Sequence, residues 1–139
     1  MVAIPSAVVI VAEVIGMLNT YSTNITVAAD TAIPLNNIAY KKGNSVEPSG
    51  VSAIALNRCG VYRVACTASP ATSTTIQLYR NGVPLPQAQG TGTNPAFVTF
   101  VGVEENNTCC PCTAPVVLQV MNTTEATFTD VAVTVDKVK

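Results

Sequence analysis

The sequence predicts an all-β fold, a sandwich or jelly roll of short antiparallel strands, and three observations carry that prediction. Runs of β-branched and aromatic residues recur at spacings of about 8–15 residues, each bounded by Gly, Pro, Asn or Thr turns. The stretch 60–83, GVYRVACTASPATSTTIQLYRNGV, holds two such runs and closes on Asn81-Gly82. Asn-Gly is the pair preferred in a two-residue type I′ turn, because both central residues take positive φ. Beyond residue 20 no segment shows the 3.6-residue apolar period of a helix.

In chain order, residues 3–18 (AIPSAVVIVAEVIGML) are apolar with Glu13 as their one charge. They fail as a signal peptide, since the first cation in the chain is Lys41. They fail as a membrane span because they are short and interrupted by Pro5 and Glu13. Val8, Val11, Ile15 and Leu18 fall at helical spacing, while 8–11 is a β-branched run, so helix and extended arm both stay open. Residues 1–23 are therefore read as an apolar arm for attachment or trimer contact, and residues 24–139 as the β domain. Short strands are expected at 25–28 and 33–38, then a loop over 41–50 with Gly43, Pro48 and Gly50, then a strand at 51–56.

A turn at 57–60 leads into what reads as a central hairpin built from 61–68 and 74–80, with Tyr62, Val64 and Cys66 on one face. Pro84 and Pro86 remove ladder donors, so 83–86 reads as an edge or bulged crossover, followed by a Gly/Thr/Gln loop at 87–95. Strands follow at 96–103 and 116–121. At 128–135, Thr129, Val131, Val133 and Val135 alternate with Asp130, Ala132 and Thr134. The total is eight to ten strands.

Composition bounds the function. Of 139 residues, 48% are hydrophobic and 11% charged, against roughly 25% charged in an average soluble domain. So few charges leave little to cover a monomer's exterior: the surface is expected to be dressed in the abundant Thr, Asn, Ser and Gln and in part buried against sister copies. The seven Lys and Arg are scattered along the sequence, which argues against a nucleic-acid partner. There is no His, which removes the usual general base, the Ser-His and Cys-His pairs, and the commonest metal ligand. No catalytic residue and no cofactor are expected.

The order of motifs adds a family resemblance. Gly60-x-Tyr62-x-Val64 precedes Leu78-x-x-Asn81-Gly82, a Thr/Gly loop, and 98–103 running into Glu104-Glu105-Asn106. Leu118-Gln119-Val120-Met121-Asn122 and 131–138 complete the series. Over roughly residues 24–139 this resembles the C1q/TNF-like trimeric jelly roll. It is most similar to the bacterial and phage branch, found in collagen-like spore-surface proteins, phage head fibres and capsid decoration proteins. The resemblance implies a ten-strand, two-sheet antiparallel protomer, with three protomers packed around a threefold axis through one apolar face. The chain lacks a Gly-x-y stalk and carries an apolar arm without a secretion signal, which points toward a virion component rather than a spore filament.

Candidate sites are few. Cys109-Cys110-Pro111-Cys112 is the most unusual local feature and reads three ways: free thiols in a loop, a disulfide within or between chains, or a thiolate metal site. The spacing is not that of a zinc ribbon. Cys59 and Cys66 flank one strand, about 23 Å apart if extended, beyond the ~7 Å limit for a bridge. Cys66 is expected to be a buried small hydrophobe. Glu104, Glu105, Asp30, Asp130 and Asp136 match no calcium loop and read as solvated turn carboxylates. The Asn24, Asn106 and Asn122 glycosylation patterns are what Asn/Thr-rich turns produce by chance. Tyr21, Tyr40, Tyr62 and Tyr79 would form a sugar-binding surface only if several are exposed, and Tyr62 and Tyr79 read as packed.

Together these readings predict a homotrimeric decoration or head-fibre protein on a phage capsid surface. It would be attached to another virion protein through its arm, with a possible host-surface ligand and no nucleic-acid or membrane partner. The alternative is a binding module of a bacterial cell or spore surface, an adhesin recognising glycan or protein.

Overall fold

The computed structural model describes residues 16–104 and 115–139, and every regular element among them is a strand. In chain order these are β1 (Met17–Val27), β2 (Thr31–Ala32), β3 (Asn37–Lys42), β4 (Val46–Ser49), β5 (Ala53–Leu56) and β6 (Gly60–Pro70). They continue with β7 (Thr74–Arg80), β8 (Val83–Gly92), β9 (Ala96–Val103), β10 (Val116–Asn122) and β11 (Ala126–Lys137). All pairings are antiparallel and form two sheets. One has five strands in the order β3-β1-β11-β6-β9. The other has six, in the order β4-β5-β10-β7-β8 with β2 beside the end of β10. The expected two-sheet antiparallel jelly-roll sandwich is what the chain forms.

Alternation builds the core. Leu18, Val64, Cys66, Val133 and Val135 from the five-stranded sheet face Ile54, Leu56, Ile76, Leu78, Leu118 and Val120 from the other, all buried. β11 keeps its apolar side inward by a register shift between Phe128 and Val131, where Thr129 and Asp130 are both exposed. That bulge resets the two-residue parity, so Thr129 does not share the face of Val131 as strict alternation implies. Tyr62 is buried, and its hydroxyl donates to the Arg58 carbonyl at 2.6 Å. Asn122 is fully buried at the far end of β10. Its Oδ1 accepts from Thr74 Oγ1 at 2.7 Å and its Nδ2 donates to the carbonyls of Thr124 and Val27. No buried side-chain polar atom among the described residues lacks a partner.

Several elements differ from the sequence reading. β1 begins at Met17 and pairs with β11 from Met17↔Asp136 to Val27↔Ala126, so residues 17–23 lie inside the sheet rather than in an arm. The remainder of the arm segment, residues 1–15, lies outside the described residues. The loop expected at 41–50 contains β4, an edge strand in which Pro48 is tolerated. The bulged edge expected at 83–86 is present, but it runs on through the expected loop: residues 83–92 form the single edge strand β8, with a register shift opposite Gln77 and Tyr79. The runs expected to pair as a central hairpin do not: β6 and β7 lie in opposite sheets, and the Asn81-Gly82 turn joins β7 to β8. Asn81 and Gly82 take φ of 50° and 81°, as a type I′ turn needs.

The sandwich has two ends. At one lie Gly16, Asn57, Gly60, Asn81, Glu104 and Pro115; Lys137 N donates to the Gly16 carbonyl and Asn81 N to that of Val117. At the other lie the turns after β1, β6, β8 and β10, joined by Asp30 N to Asn122 O and Ala71 N to Thr127 O. Among the described residues no helix is long and apolar enough to cross a membrane.

Candidate assembly interface

The outer face of the five-stranded sheet is assembled by register from three rows. They run Phe100–Arg63–Asp136–Met17–Lys42, Val98–Ala65–Thr134–Asn19–Tyr40 and Ala96–Thr67–Ala132–Tyr21–Asn37. Val98 is 64% exposed and Phe100 60% on the edge strand β9; Tyr40 is 52% and Tyr21 38% exposed on β3 and β1. Between these two edges stand small side chains, Ala65 and Ala132, together with Thr134 and Asn19, whose polar groups meet each other at 3.3 Å. Arg63 Nε donates to Asp136 Oδ1 at 3.1 Å, so the central charges of the face are paired. The result is a shallow trough of small or satisfied groups between two raised apolar edges.

The other sheet is different. Outward-facing Thr75, Gln77 and Gln119 dress its middle, and Gln77 Nε2 donates to the Leu85 carbonyl. The six-stranded sheet also turns Tyr79, Val117 and Met121 outward, each partly covered, so what sets the five-stranded face apart is its edges, where Val98, Phe100 and Tyr40 are more than half exposed. The signal for this was in β9: AFVTFVGV places Phe97, Thr99 and Val101 inward and Val98 and Phe100 outward. A strand apolar on both faces at a sheet edge has only one face covered by its own chain.

Among the described residues, those singled out from the sequence do not converge on a chemical site. Cys109, Cys110, Cys112 and Glu105 lie outside the described residues. Cys59 is disulfide-bonded. Cys66 is free and buried, so these two do not bridge each other, and burial pushes the Cys66 thiol up to about 12. Asp30 sits in the turn after β1 at φ 58°, Asp130 in the β11 bulge, Glu104 at the end of β9, and Asp136 is paired with Arg63. No group of three His, Cys, Asp or Glu stands together among the described residues. Asn122 is interior and structural, not a surface acceptor for sugar. Asn81 is held by its turn: its Oδ1 accepts from Val117 N at 2.8 Å. Of the tyrosines, Tyr62 is core, Tyr79 is half-buried, and only Tyr21 and Tyr40 are exposed.

No protein-family profile and no curated protein matches the sequence. Solved structures do match. PRD1 vertex protein P5 superposes with a TM-score of 0.63 at 10% identity, covering 89% of this chain and 97% of that one. Murine APRIL at pH 5.0 gives 0.68 at 8% identity, covering 89% and 99%. The globular domain of zebrafish complement 1qA gives 0.59 at 9% identity, covering 86% and 94%. At such identities the likeness speaks for architecture, and the expectation raised by the motif order holds: the chain has the C1q/TNF-like jelly-roll fold.

Proposed function

We propose that the chain is a non-enzymatic structural protein of a bacteriophage particle, a homotrimeric capsid decoration or head-fibre subunit. The observation that carries this reading is the set of exposed large apolar side chains on the outer face of the five-stranded sheet, Val98 and Phe100 at one edge and Tyr40 and Tyr21 toward the other. Three copies arranged about an axis along the strands would seat the β9 edge of each against the trough of the next. Burying Phe and Val side chains contributes roughly 25 cal/mol per Å², repeated at each symmetric contact. The likeness to PRD1 vertex protein P5 supports a virion role, and the low charge content supports burial of surface between copies. Attachment through the segment preceding Gly16 belongs to the same proposal.

Two measurements test it. Light scattering on the full chain at micromolar concentration is expected to give about 43 kDa, three times the 14.4 kDa of one chain. A stable monomer would contradict the trimer. Mass spectrometry of purified particles is expected to find peptides of this chain in stoichiometric amount, and their recovery only from cell-surface fractions would favour the adhesin reading instead.

A further inference from the structure

We infer that the end of the sandwich carrying Gly16 is a docking surface for an acidic protein surface. The cations that are scattered along the sequence are gathered there by the fold. Lys42, Met17, Asp136 and Arg63 are neighbours across four strands, and Lys41 and Lys137 lie in the adjoining positions beside Leu18 and Tyr62. Arg58 sits in the turn between β5 and β6. Arg80 reaches the Gly102 carbonyl from the end of β7, and the Lys139 carbonyl accepts from Val61 N. All seven Lys and Arg of the chain are thus at one end, against three described carboxylates there: Glu47, Glu104 and Asp136. The opposite end and its approach carry Asp30, Glu125 and Asp130 and no cation.

Only two of the seven cations are in ion pairs among the described residues, Lys41 with Glu47 at 3.6 Å and Arg63 with Asp136 at 3.1 Å. Lys42, Arg58 and Lys139 are exposed and have no carboxylate partner among those residues. A molecule with one basic and one acidic end orients in the field of a charged partner, and close complementary charges then fix register. The interleaved Glu47, Glu104 and Asp136 repel the dense charge of a duplex, one phosphate per about 1.7 Å, more than the sparser carboxylates of a polypeptide. This inference deepens the reading of the chain as a subunit attached to a larger assembly and rests on it for the partner's setting. About a threefold axis along the strands, three basic ends would face the same way.

The test uses the full chain over immobilised poly-L-glutamate at low and at roughly 0.3 M salt. Duplex DNA and phosphatidylserine vesicles serve as comparison surfaces, and each sample is also sized by light scattering. Wild type is expected to bind poly-L-glutamate in preference to the others and to lose that binding at the higher salt, where the screening length is about 6 Å. The Lys42→Glu/Arg58→Glu/Lys139→Glu variant is expected to bind about tenfold more weakly or not at all. Asp30→Asn/Glu125→Gln, at the other end, is expected to stay within about twofold of wild type. Equal binding by wild type and the triple variant, no binding by wild type, or tighter binding to DNA or vesicles overturns the docking surface. A monomer in the light scattering counts against the trimer alone.

Discussion

The Cys66 thiol lies on β6 between Val133 of β11 and Phe97 of β9, 1% exposed, and burial raises its pKa from 9.0 to about 12. Desolvation disfavours the thiolate, which is the reactive form, so the group is inert while the fold is closed. The same shift has a consequence for stability. The folded state holds the proton more tightly than the unfolded state, so this contribution is complete below pH 9 and is lost as pH rises toward 12. Across that window the contribution of this residue to stability is expected to fall steadily as pH rises. Urea titrations of wild type and Cys66→Ala between pH 8 and 11 check it: the difference between the two should shrink or reverse as pH rises. A constant difference would mean that the thiol has the same pKa in the folded and unfolded states. Tyr62, raised chiefly by burial and present in both proteins, cancels in the comparison.

At the scale of elements, the β7–β8 hairpin depends on two residues that take φ of 50° and 81°. A β-branched side chain at the second is strained there, and left-handed backbone costs roughly 1–2 kcal/mol per L-residue. Gly82→Val is therefore expected to destabilise by about that amount, read as a lower urea midpoint with unchanged slope. A value near zero would show that the turn relaxes to another type. This turn was legible in the sequence because two adjacent residues determine it. So were β9 and β10, whose alternation is uninterrupted. The pairing of β6 with β11 and β9, rather than with β7, was not legible, because sequence proximity says nothing about which sheet a strand joins. β4 was hidden by Pro48, which an edge strand accommodates, and the far half of β8 by the Gly, Thr and Gln of 87–92, whereas the prolines of 83–86 did mark its bulged edge. β1 was obscured because Leu18, Thr20 and Ser22 form its buried face, and the two hydroxyls are satisfied only by partners the fold supplies. Thr20 Oγ1 donates to the Val133 carbonyl, and Ser22 Oγ donates to that of Pro34. The charged end escaped notice for the same reason: its residues come from seven separate places, six of them strands or strand ends, and only register brings them together.

For the whole molecule, the decisive contrast is between a core that one chain fills and an outer face whose edge residues stand more than half exposed. Val98 and Phe100 point away from the core that their neighbours Phe97, Thr99 and Val101 fill. Replacing them by acid leaves the protomer's interior untouched, and exposed substitutions on a strand typically cost within ±0.5 kcal/mol. In an assembly the same change places charge in a desolvated contact, at a cost of several kcal/mol. Val98→Asp/Phe100→Asp is therefore expected to fold with wild-type far-UV circular dichroism but to run as a monomer of 14.4 kDa. A second readout separates assembly from protomer stability. Association stabilises by mass action, so the Tm of wild type should rise with protein concentration and that of the variant should not. If the variant keeps the mass of wild type and its concentration-dependent Tm, the copies meet through another surface, and the outer face of the five-stranded sheet loses its place in assembly. If instead neither protein shows concentration dependence and both are monomers, the apolar edges serve a different partner, and the symmetric reading of the fold falls with them.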